Sequence, residues 1–115
     1  MEPDYWRYHK ATGCPVPHAK ALFAEMPALW QQRVLQAIEH DPPGRLLSDP
    51  IERDPQWADI INAAKLEAEQ TAAEAGHTGR GRCHVVWRVQ ADILAQRHGV
   101  VWFSPARMNP GASFD

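Results

Sequence analysis

The chain has 115 residues, the size of one domain, and 44% hydrophobic residues is ordinary for a protein that builds its own core. Its net charge of -2 conceals an asymmetry: residues 1–75 carry 7 Lys+Arg against 12 Asp+Glu, whereas residues 76–115 carry 5 Arg against 2 Asp. No apolar run approaches the roughly 18 residues of a spanning helix and Met1-Glu2-Pro3-Asp4 is unlike a signal peptide, so the cytoplasm is the default compartment and Cys14 and Cys83 are expected as free thiols.

Tyr5-Trp6-Arg7-Tyr8-His9-Lys10 crowds three aromatic side chains among three basic or titratable ones. Stacking on nucleobases is one use of such a cluster, but an aromatic strap laid across a core with its polar tips wet is the commoner one. Thr12-Gly13-Cys14-Pro15-Val16-Pro17 reads as a turn and an extended link, because each proline restricts the residue before it. Residues 1–17 are therefore expected as strap and link, 18–99 as a helical core and 100–115 as a C-terminal arm, all within a single domain.

A short helix is expected over 18–25, turning at Met26-Pro27 into a second over 27–40 whose apolar face is Leu29, Trp30, Val34, Leu35 and Ile38. Asp41-Pro42-Pro43-Gly44 ends it. Asp54 is a good N-cap with Pro55 at the first helical position, which predicts a helix over 55–75 with Trp57, Ile61, Ala64, Ala68, Ala72 and Ala75 on one face. The small residues at its far end admit a close neighbouring helix. Gly76 then stops it.

The stretch from Arg82 onward organises the rest. Val86, Val89, Ile93 and Leu94 recur at helical spacing and Gly99 follows His98 where a left-handed terminator is wanted, although Cys83, Val85, Trp87 and Val89 also alternate as a strand would. From Gln90 the alternation fails, so helix is preferred. Val100-Val101-Trp102-Phe103 is short, β-prone and apolar, and is expected to lie over the domain with room for one short β-pairing. Ser104-Pro105 opens at most one helical turn before Asn109-Pro110-Gly111, and Phe114 is read as either a docked terminus or a frayed one.

No P-loop, HExxH, GxSxG or dinucleotide fingerprint occurs, which argues against an enzyme without excluding a small one with a Cys/His reactive centre. No cofactor is implied. The Gly/Arg-rich loop 76–82 and the helix start after it form the best candidate for anion or nucleic-acid binding: His77, Arg80, Arg82, His84 and Arg88, with glycines that let backbone N–H groups approach a phosphate. Cys14, His18, Cys83 and His84, with His77 as a substitute, offer zinc-ligand chemistry, but adjacent Cys83 and His84 point to different sides of a helix and fit one tetrahedral ion poorly, so no metal is expected. The five tryptophans fall one on each predicted segment, as a tryptophan-centred core would have them; Trp6, Trp87 and Trp102, with Phe103, are the candidate partner surface if any are exposed together.

CHVVWRVQADILAQRHGVVWFSPARMNPG, with Phe114-Asp115 beyond it, resembles the ends of small uncharacterised bacterial proteins that travel on plasmids, phages or other mobile elements. The resemblance covers the last third of the chain and implies no activity. The sequence thus predicts a mainly α domain of three main helices with an extended arm. The leading function is a non-enzymatic interaction or regulatory protein that associates with another protein or with itself as a dimer; nucleic-acid or phosphate binding comes next.

Overall fold

A computed structural model describes residues 2–41, 46–110 and 112. It is mainly helical: α1 (Asp4–Thr12), α2 (Val16–Glu25), α3 (Ala28–His40), α4 (Ala58–Glu74), α5 (Arg82–His98) and the single turn α6 (Pro105–Met108), with a 3-10 turn over Pro50–Arg53. Residues 42–45 and Phe114, whose docking the sequence left open, lie outside the described residues. Among the described residues no helix is long and apolar enough to cross a membrane.

The expected aromatic strap is a helix instead. Pro3 lies extended just before α1, Asp4 occupies its first turn, His9 and Lys10 its last, and Gly13 at φ 78° ends it. Those are ordinary start, dipole and stop signals. They outweigh the aromatic crowding, because helical spacing points Tyr8 inward while Trp6 stays on the outside. The expected extended link is likewise short, since Pro15 and Pro17 fall at the N-cap and first turn of α2, where a missing N–H costs nothing. Pro27 precedes α3 rather than opening it, and the Gln31 side chain donates to the Phe23 and Met26 carbonyls at the α2 end (2.6 and 3.1 Å).

Asp54 caps a tight turn rather than the long helix itself: its carboxylate accepts from the Gln56 N–H at 2.9 Å, and α4 becomes regular only at Ala58. The expected inner face holds, with Ile61, Ala64, Ala68 and Ala72 buried, while Ala75 is exposed. Gly76 (φ 84°) ends α4, with the His77 N–H donating to the Ala72 carbonyl and the Gly76 N–H to that of Ala73. After this reversal α5 runs back along α4. Val86 fills the space above Ala68 and Ala72, which is why small residues stand there.

Two larger clusters form the core. Tyr8, Phe23, Val34 and Ala37 of α1–α3 gather with Leu47, and Ile61 and Ala64 of α4 gather with Leu94 of α5. The C-terminal arm joins them. Gly99 (φ 63°) turns the chain so that the Val100 N–H donates to the Leu94 carbonyl at 3.0 Å. Val100 and Trp102 then enter the α4–α5 cluster, whereas Phe103 and Met108 enter the α1–α3 cluster.

Among the described residues the arm makes no β-pairing, and the physical reason is specific. Along one edge its backbone groups bond side chains in place of a strand: Arg33 donates to the Val101 carbonyl at 3.1 Å, and the Phe103 N–H donates to Asp49 at 2.9 Å. Further along, Asn109 clamps Leu47 by accepting from its N–H (2.7 Å) and donating to its carbonyl (2.8 Å), and the Trp30 indole N–H donates to the Arg107 carbonyl (2.8 Å).

Candidate functional site

Because the arm reverses at Gly99, it runs alongside α5 and leaves a groove of about 480 Å³ between them. One wall is the α5 face bearing His84, Arg88, Asp92 and Ala95, which recur four residues apart or nearly so. The other wall is the arm from Val100 to Ser104, continued by Ala106 and Arg107 of α6. Val101, 48% exposed, stands at this wall between two buried neighbours. The charged side chains that line the groove are two arginines, Arg88 and Arg107, and one carboxylate, Asp92. Arg107 also stacks its guanidinium over the Trp30 ring, 5.7 Å from the centroid, which fixes it at the groove's end.

His84, Trp87, Arg88, Trp102 and Phe103, drawn from two different sequence-predicted sets, converge on this groove. His84 meets Trp87 edge-on with ring centroids 5.6 Å apart. Trp102 and Phe103 need a correction, since at 7% and 9% exposure they are core residues and do not form an open partner surface. Their packing into two clusters explains this: an apolar quartet after a helix stop is cheapest to hide by folding back. Trp6 is 38% exposed but does not line the groove, and it meets His9 instead. Sequence reading missed Arg107 and Asp92; the i, i+4 spacing of Arg88 and Asp92 was a visible signal, whereas the return of Arg107 depends on the arm's path.

The Gly/Arg loop does not meet the groove. Arg80 and His77 are exposed, while Arg82 is half-buried and turns its guanidinium to the Glu69 carbonyl at 3.4 Å. The Arg82 and His84 N–H groups donate to Gly79 and Gly81 within the loop, so two donors that a phosphate would use are engaged.

Cys14 and His18 line a second cavity of about 320 Å³ with Tyr8 and Asn109, whereas Cys83 and His84 stand in the first turn of α5, and among the described residues no three such side chains gather. Burial, with a smaller contribution from Cys14 and against a hydrogen bond from Thr12, pushes the Tyr8 phenol up to about 12. Burial also pushes the Cys14 thiol up, which keeps it protonated and a weak nucleophile.

Behind the arm, Trp102 donates its indole N–H to Glu52 at 2.8 Å. Burial raises the Glu52 pKa above the ordinary 4.5; the Trp102 bond opposes this, nearby Asp49 adds to it, and Lys65 and Arg53 oppose it. A carboxyl whose folded pKa is raised holds its proton longer folded than unfolded. It therefore makes the protein less stable as pH rises from about 4.5 through the raised value. Glu52→Gln keeps an oxygen for Trp102 and removes the titration, so urea midpoints measured across that range should fall less steeply for the variant. An unchanged slope would place the proton uptake elsewhere.

Comparison of the chain with known protein families, with curated proteins and with solved structures finds no match.

Proposed function

We propose that this protein is a non-enzymatic binding protein that recognises another protein through the groove between α5 and the arm. The observation that carries the reading is the composition of the groove: exposed Val101 and half-buried Trp87 and Ala91 beside Arg88 and Arg107, with no cluster of three or more metal-ligating side chains among the described residues. Apolar and aromatic contact area with a few arginines is the make-up of a protein-recognition patch. Nucleic-acid binding through Arg80 and Arg82 is the weaker reading, because the Arg82 guanidinium and the Arg82 and His84 N–H groups are engaged within the chain.

The test compares proteins retained by the wild type with those retained by an Arg88→Glu/Val101→Glu variant and by an Arg80→Ala/Arg82→Ala variant, each shown by thermal melts to be folded. The groove variant should lose at least tenfold in the specific partners while the loop variant keeps them. Sedimentation of the same proteins reads out self-association through the groove. Should the loop variant alone lose binding, with oligonucleotide affinity falling and its salt slope dropping by about one per lost phosphate contact, the nucleic-acid reading would replace this one.

A further inference from the structure

The arm has two backbone edges, and they are satisfied unequally. In an extended chain the N–H and C=O of one residue point to the same side and those of the next residue to the other. The Val101 carbonyl and the Phe103 N–H share an edge, and both are bonded, to Arg33 and Asp49. On the opposite edge the Val100 N–H donates to the Leu94 carbonyl, and four groups follow it: the Val100 carbonyl, the Trp102 N–H and carbonyl, and the Ser104 N–H. None of these four groups has a hydrogen-bond partner among the described residues. All three residues line the groove. Unpaired peptide groups beside an apolar wall are costly, and an open strand edge is a template for another strand.

We infer that the groove binds an extended polypeptide segment of a partner protein, which adds as a strand along Val100–Ser104 and sets a carboxylate side chain against Arg88 and Arg107. This rests on the groove being the binding face. The addition of a strand to a free edge draws its affinity from main-chain bonds and its specificity from alternate side chains. The five arm residues span about 16 Å when extended, so some five residues of the partner fit. Charge selects the carboxylate: Arg88 and Arg107 against Asp92 leave one positive charge in excess among the arginine and carboxylate side chains that line the groove. That matches one acidic side chain. It is too little for a nucleic-acid strand, whose binding draws on many phosphate contacts at once.

The experiment uses the full chain and a random octapeptide library displayed on phage, with enriched peptides then synthesised. Amide shifts on titration should centre on Trp102, Ser104 and the α5 face, and enriched sequences should carry Asp or Glu among β-branched residues. N-methylation at alternate peptide positions should weaken binding at least tenfold in one set and leave the interleaved set unaffected, because only one edge of the added strand faces the arm. Arg88→Glu should weaken binding about tenfold and Arg88→Gln less, with circular dichroism confirming that both fold. Binding in the groove that is insensitive to N-methylation, or indifferent to Arg88, overturns the inference while leaving the groove as the binding face. Failure to enrich any peptide, shifts centred elsewhere, or tighter binding of an oligothymidine in the groove overturns both.

Discussion

Trp102→Ala should lower stability by about 3 to 5 kcal/mol, a large share of the roughly 5 to 15 kcal/mol that holds a domain of this kind together. The indole fills the cluster formed by Ile61, Ala64, Leu94 and Val100, and truncation leaves a cavity that helices on both sides can only partly close. A second loss comes from Glu52. Its half-buried carboxyl accepts the indole N–H, and without that donor a group already pushed toward its neutral form has one partner fewer. Urea unfolding followed by far-ultraviolet circular dichroism gives the number directly. Trp102→Phe separates the two contributions, because it restores much of the volume and none of the hydrogen bond. A change within about 0.5 kcal/mol for Trp102→Ala would mean that the arm does not dock and that Trp102 acts at the surface.

The helices were legible in the sequence wherever local signals and periodicity agreed. Gly76 and Gly99 mark two ends correctly, and the Ile61, Ala64, Ala68, Ala72 face is the one buried. The first helix is hidden in the sequence by its aromatic crowding, which resembles a strap, although Pro3, Asp4 and Gly13 carry ordinary boundary signals. The groove was half legible. His84, Trp87 and Arg88 are neighbours on one helix, so spacing alone brings them together. Arg107 arrives only because Gly99 reverses the chain and the arm is held by Arg33, Asp49 and Asn109, contacts between residues 16 to 68 positions apart that no local pattern encodes.

The holding contact with the largest expected effect after Trp102 is Asp49. It is fully buried and accepts from the Arg33 guanidinium (2.8 Å to each oxygen), the Ile51 N–H (3.1 Å) and the Phe103 N–H (2.9 Å). One carboxylate thereby ties α3, the 3-10 turn and the arm. Asp49→Ala strands three donors at once, and breaking such a pair from one side typically costs about 3 to 5 kcal/mol because the remaining charge is left unpaired. Arg33 keeps some contact with water and also lies over the Phe103 ring at 5.8 Å, so Arg33→Met should cost less than Asp49→Ala. The double variant should lose less than the sum of the two, since the uncompensated charge is gone. Asp49→Asn should fall between wild type and Asp49→Ala, keeping an acceptor oxygen and losing the charge. Hydrogen exchange should show the effect locally as well, with the Phe103 amide losing protection in Asp49→Ala before α4 and α5 do, because that N–H depends on Asp49 alone for its partner. Additive losses in the cycle, or uniform loss of protection across all helices, would show that Asp49 supports the α1–α3 core and does not fasten the arm.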